Sequence, residues 1–120
     1  MRNFANSNMK NKNSLENKIF ELHARVCKTL SHPKRLKIID LLRDEKEISV
    51  SEIAEELSIT KANVSQHLAV MRHQNIVKTR REGIVILYSL ANPQILTAYD
   101  ALRKTLKEQL ETDGKLLEKF

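Results

Sequence analysis

Residues 51–75 read SEIAEELSITKANVSQHLAVMRHQN, and the rest of the chain can be arranged around them. In the first half Ile53, Ala54 and Leu57 fall on one side of a helix. In the second, Val64, Leu68 and Met71 recur at i, i+4 and i+7, the spacing that lines one helical face. Two apolar faces so close in sequence bury each other most readily. Between them stands Ser58-Ile59-Thr60: Ile59 is an apolar plug, and Thr60 can cap the second helix by accepting a hydrogen bond from a free first-turn amide. The stretch is predicted to be two short helices joined by a tight turn, a helix-turn-helix.

The outer side of the second helix offers Lys61, Ala62, Asn63, Ser65 and Gln66, small or polar groups that leave a DNA groove free to approach. Asn and Gln amides donate and accept at once and match the N6 and N7 edge of adenine. Lys61 and the helix amino terminus favour a phosphate. Any solvated helix also shows polar residues opposite an apolar stripe, so an ordinary solvent face is the alternative for this surface alone.

At 120 residues the chain is one small domain with a modest core, to which a partner subunit would add appreciable burial. Two Gly, two Pro, no Trp and 41% hydrophobic residues point to a mainly helical protein rather than a β-sandwich. The net charge of +6 is unevenly spread. Residues 1–43 carry ten basic and three acidic side chains, 44–59 one and six, 60–90 five and one, and 91–120 five of each. The second helix and the residues after it, as far as 90, are therefore basic, while the helix before it is acidic, a pattern that suits one basic face turned to phosphates. No apolar run reaches membrane-spanning length, and residues 1–10 lack the hydrophobic core of a signal peptide. The expectation is a cytoplasmic protein with no membrane partner. The single cysteine, Cys27, excludes an internal disulfide and a four-thiolate zinc site within one chain.

Residues 1–14 hold five Asn and three basic residues and are expected to form a flexible N-terminal arm. Leu15, Ile19, Leu22, Val26 and Leu30 then make a first helical stripe. Ser31 is expected to cap the next helix, with Pro33 in its first turn, where the missing N–H costs nothing. Leu36, Ile38, Ile39, Leu41 and Leu42 make that helix central, and Ile48 and Val50 can form a short extended piece. After Asn75 the period becomes extended. Residues 76–80 and 84–90 are rich in β-branched side chains and flank Arg81-Glu82-Gly83, where Gly83 can take the positive φ of a tight turn. Lys78, Arg80 and Arg81 would sit on this hairpin, next to the helix-turn-helix. Asn92 and Pro93 open a last helix as cap and first residue, with a stripe of Ile95, Tyr99, Leu102, Leu106 and Leu110. The first and last helices carry more apolar surface than so small a core uses. A homodimer pairing them across a two-fold axis explains this, and packing on their own domain is the alternative. The folded domain is expected over 15–112, with a tail at 113–120.

Three local sequences, in order, are specific. Leu30-Ser31-His32-Pro33-Lys34-Arg35-Leu36-Lys37-Ile38-Ile39-Asp40-Leu41-Leu42, Asn63-Val64-Ser65-Gln66-His67-Leu68, and Arg81-Glu82-Gly83 through Tyr88-Ser89-Leu90 resemble the ArsR/SmtB family of prokaryotic winged-helix repressors over about residues 15–110. The resemblance implies a mainly α fold with a small β-hairpin, in the order α-α-α-α-β-β-α, homodimeric through its first and last helices. It further implies a transcription regulator that binds a palindromic double-stranded operator and releases it when an effector binds. Lys61, Asn63, Ser65, Gln66 and His67 in helix 61–74 would meet the operator, and Arg80 and Arg81 would belong to a wing at 77–89. His67 borders the apolar face and is expected to be packed or phosphate-bonded rather than a metal ligand. The wing departs from the family pattern, because Ile84 and Val85 stand just after the glycine, where relatives often carry basic residues.

Metal-sensing members of that family carry paired cysteines in a segment that aligns with Glu47-Ile48-Ser49-Val50-Ser51-Glu52-Ile53, where Ser49 and Ser51 replace both thiols. A hydroxyl is no soft-metal ligand at neutral pH. The family's zinc site on the last helix needs histidines. Here Asp100 is present, but residues 92–120 contain no histidine. No resident cofactor or metal is expected. His23 and Cys27, four apart on the first helix, with His32 beyond its end, are the remaining candidates for a metal or thiol-reactive effector. A cysteine acting as a small apolar residue beside two surface histidines is the alternative. The chain shows no nucleophile and base pair, no phosphate-binding Gly loop and no catalytic metal set, which argues against an enzyme. A winged-helix module that docks on another protein is the competing binding function, supported by Glu52, Glu55 and Glu56 beside the motif.

Overall fold

The computed structural model describes residues 7–44 and 46–114, with side chains from Asn13 onward. The elements are α1 (Ser7–Thr29), α2 (Pro33–Leu41), β1 (Ile48–Ser49), α3 (Val50–Leu57), α4 (Lys61–His73), β2 (Val77–Glu82), β3 (Val85–Leu90) and α5 (Ile95–Thr112).

Local chemistry sets both helices of the motif. At the start of α3, the Ser49 hydroxyl accepts from the Glu52 amide at 3.2 Å while the Glu52 carboxylate accepts from the Ser49 amide at 3.2 Å. This reciprocal capping box satisfies two amides that a helix start leaves free. It also explains why only Ile48 and Ser49 are extended, with Val50 already helical. Helix α3 ends at Ser58 in the left-handed conformation, φ 55°. Ile59 then donates back to the Ala54 carbonyl at 3.1 Å, and Thr60 caps α4 by accepting from the Asn63 amide at 3.1 Å. The turn is thus built from the three residues that the sequence singles out.

The core is one cluster. Ile38, Ile39 and Leu42 from α2 and its end meet Ile53 and Ala54 of α3, Val64, Leu68 and Met71 of α4, and Ile76, Val77 and Leu90 around the sheet. Ile38, Ile39 and Leu42 are fully buried, each worth roughly 1.5–3 kcal/mol, so α2 is the central helix.

The sheet has the order β1-β3-β2 and is antiparallel throughout. Strands β2 and β3 pair from Val77 opposite Leu90 to Glu82 opposite Val85. Only Gly83 and Ile84 are left to turn, and Gly83 takes φ 64°. Arg81 and Glu82, expected in the turn, are therefore strand residues, because one positive φ at the first central position suffices for a two-residue hairpin. The short extended piece at Ile48 and Ser49 adds a third strand, opposite Tyr88 and Leu87.

Three boundaries differ from the expectation. Helix α1 begins at Ser7, so the later part of the expected arm at 1–14 is helical. Residues 7–14 contain neither Gly nor Pro, and nothing stops the helix from running on without an apolar stripe. Residues 1–6, and most of the expected tail at 113–120, lie outside the described residues. His32, rather than Ser31, stands at the N-cap of α2, with Pro33 directly inside it. The Ser31 hydroxyl instead donates to the Lys28 carbonyl at 2.6 Å and closes α1. Helix α5 starts at Ile95, because Asn92 turns its side chain onto the Gln94 amide at 3.0 Å and forms a separate turn first.

Helices α1 and α5 flank this core. No residue of α5 is fully buried, although Ile95, Leu96 and Tyr99 pack against the cluster, as Val26 and Leu30 at the end of α1 do. Arg43 ties α5 down with two hydrogen bonds to Asp100, at 3.0 and 2.8 Å, and lies 5.9 Å from the Tyr99 ring centre. Farther along, Leu15, Ile19, Phe20 and Leu22 of α1 and Leu102 and Leu106 of α5 remain exposed. Among the described residues, no helix is long and apolar enough to cross a membrane.

Candidate nucleic-acid interface

With Val64, Leu68 and Met71 turned into the core, helical geometry turns Ala62, Ser65, Gln66 and Ala69 to solvent, and all four are exposed. Lys61 is exposed at the first turn. Asn63 and His67, four residues apart, are half-buried along one flank. The five residues expected on α4 therefore divide between an open face, carrying Lys61, Ser65 and Gln66, and a flank. Ala69 is a further residue of the open face that its polarity gave no reason to single out, although its spacing from Ser65 and Gln66 places it there. Its methyl keeps that face shallow.

His67 is held by α2. Arg35 donates from Nε to His67 Nδ1 at 3.0 Å and from Nη1 to the Thr29 carbonyl at 3.0 Å. The His32 ring lies with its centre 6.1 Å from that of His67. Burial foremost, then the electrostatic influence of the neighbouring Arg35, His32 and Lys34, holds the His67 imidazole below its usual range, which favours the neutral ring at pH 7. Arg35 and His67 are 32 positions apart, and no sequence periodicity links them.

The wing treats its two arginines differently. Arg80 donates to both carboxylate oxygens of Glu47, at 2.8 and 2.9 Å, and to Glu82 at 2.9 Å. This pairing holds the Glu47 carboxyl below its ordinary range. Arg81 is exposed, and its guanidinium makes no hydrogen bond or ion pair among the described residues. Ile84, at the hairpin tip, is 95% exposed.

The weaker candidates are dispersed. His23 and Cys27 are exposed on α1, whereas His32 sits beside His67. Among the described residues no group of three or more His, Cys, Asp or Glu gathers as a metal site would require. Ser49, in place of one family thiol, is occupied in the α3 capping box. Asp100 is occupied by Arg43, which holds its carboxyl below the usual range.

Three packed helices, the last of them with an open polar face, and a β-hairpin define a winged helix-turn-helix, a class of DNA-binding domain. Residues 32–79 match the model of a family described as bacterial regulatory protein, arsR family. The chain is 36% identical over 101 residues to the HTH-type transcriptional regulator Rv0081 of Mycobacterium tuberculosis, covering 83% of this chain and 88% of the relative. The crystal structure of Rv0081 matches with a TM-score of 0.70 over 78% of this chain and 94% of that one, at 36% identity. The transcriptional repressor PagR of Bacillus anthracis is 40% identical over 72 residues, 60% of this chain and 72% of PagR. The homodimeric winged helix-turn-helix domain of Mb0332 from Mycobacterium bovis matches with a TM-score of 0.73 at 28% identity, over 82% of this chain and 90% of that one. The chain belongs to the ArsR family. It is a DNA-binding transcriptional regulator and not an enzyme, and between the two binding functions the family favours DNA over a protein-docking module.

Proposed function

We propose that the chain acts in the cytoplasm as a homodimeric repressor of a two-fold-symmetric operator. Each subunit inserts α4 into a major groove, and the two half-sites lie about one helical turn apart on one side of the duplex. Ser65 and Gln66 meet base edges, Asn63 borders them, and Lys61 and His67 meet phosphates. Arg81 is free to meet the backbone from the wing, and Arg80 does so by exchanging its carboxylates for a phosphate. The observation that carries this reading is the open face of α4, where Ser65 and Gln66 stand exposed between the small side chains Ala62 and Ala69. Pairing α1 and α5 with those of a second copy would cover their exposed leucines. The repressor assignment draws on PagR, which is named as one.

Selection of duplexes from a random pool with the purified protein tests the reading. The expected winners carry an inverted repeat with half-site centres about 10 base pairs apart. Failure to enrich any sequence, or enrichment of sites without symmetry, would overturn it.

A further inference from the structure

Where one flank of α4 faces the start of α2, nitrogen donors from both helices come together, with no carboxylate among the groups that act on His67. His67 is half-buried there, with the exposed His32 ring beside it and the exposed Lys34 and the guanidinium of Arg35 close enough to bear on its charge. Arg35 itself is spent inside the protein. Its Nε–H goes to His67 and its Nη1–H to the Thr29 carbonyl, which fixes the end of α1 and the start of α2 against α4. A guanidinium has donors only and keeps its charge at any pH a protein survives. The Nδ1 atom that receives its Nε–H must therefore be the bare nitrogen of a neutral imidazole, and the ring proton must sit on Nε2.

We propose that His32, Lys34 and His67 form a binding site for a backbone phosphate of DNA along this flank. Arg35 acts as its positioning residue, holding the His67 proton on Nε2 so that the ring donates to a phosphate oxygen. The inference rests on the DNA-binding reading of α4 and adds a second contact zone beside the base-reading face. The two kinds of donor make separable contributions. Lys34 brings a charge and displaces a counterion, whereas neutral His67 brings a directed hydrogen bond and displaces none.

The test has two arms. Without DNA, nitrogen-15 spectra of His67 should show the Nε2–H tautomer. The R35K variant, which keeps the charge but lacks the guanidinium Nε–H, should show a mixture of tautomers. A wild-type His67 with its proton on Nδ1, or an unchanged tautomer in R35K, would overturn the positioning role.

On a duplex that the wild-type protein has itself selected, H67A should bind about tenfold more weakly with an unaltered salt slope. H67Q can accept from Arg35 and still donate, and should stay within about threefold of wild type. K34A should flatten the salt slope by about one. Lys34 is exposed, so K34A tests the site even if H67A fails to fold. Wild-type affinity and slope in both H67A and K34A would overturn the phosphate site while leaving operator binding intact. Failure of the wild-type protein to select any duplex would overturn the DNA reading beneath it.

Discussion

Gln66 carries an amide that suits a base edge and Lys61 a charge that suits a phosphate, and substitution separates the two roles. Gln66→Ala should lose discrimination at one base position by about 1–3 kcal/mol. Lys61→Ala should weaken all sequences alike and flatten the salt slope by about one. Titrations over single-base variants of a selected duplex distinguish the two, and an unchanged profile in both variants would remove α4 from the reading surface. His67 makes a different prediction, in protein without DNA. Its imidazole ionises below the ordinary value of 6.5, so below that value the unfolded chain binds the proton more readily than the folded one. Its contribution to stability is complete above about pH 6.5 and is lost as the pH falls through the folded value. Urea midpoints between about pH 7 and pH 5 should fall for the wild type and fall less steeply for His67→Gln. An equal fall in both proteins would show that other groups set the trend.

At the scale of elements, the capping box at Ser49 and Glu52 tests how much of α3 is set locally. Ser49→Ala removes the hydroxyl that accepts from the Glu52 amide and that holds the Glu52 carboxylate in place, and should cost about 1 kcal/mol in a chemical denaturation series. A variant as stable as wild type would show that burial of Ile53 and Ala54 alone holds the helix start. The Thr60 cap was legible in the sequence, because capping partners lie three residues apart, whereas the Ser49 box went unread, because Ile48 and Val50 suggested an extended piece at the same place. The hairpin was legible in kind but not in register. Gly83 announced a turn, but only the pairing of Glu82 with Val85 shows that the turn has two residues and that Arg81 belongs to a strand. The start of α1 was hidden because helix propensity without an apolar stripe leaves no periodic signal.

At the scale of the whole molecule, the exposed apolar faces of α1 and α5 are the feature that a lone subunit leaves unsatisfied. Leu15 and Leu102 are each 62% exposed, and Ile19 is 51% exposed. Burying such side chains between two copies contributes roughly 1.5–3 kcal/mol apiece when burial is complete. A charge there is strongly unfavourable in a dimer and harmless in a monomer. The double variant Ile19→Glu, Leu102→Glu should sediment as a monomer, keep its helical content, and bind a selected palindrome no better than an unrelated duplex. A dimer that survives this change would place the subunit contact elsewhere. Arg43 belongs to the same scale, since its bonds to Asp100 fix the direction in which α5 leaves the core.

Taken by itself, the sequence determined what local spacing can encode. The helical stripes of Val64, Leu68 and Met71 and of Ile38 and Ile39, the Thr60 cap, and the change to an extended pattern after Asn75 are all relations within a few residues, and they suffice for a winged helix-turn-helix. The tertiary structure alone decided the relations between distant residues. It placed Arg35 on His67, spent Arg80 on Glu47, and set His32 beside His67 rather than with His23 and Cys27. A side chain's partner across the fold depends on how whole elements are packed, and packing angle and depth leave no mark on the period of either element.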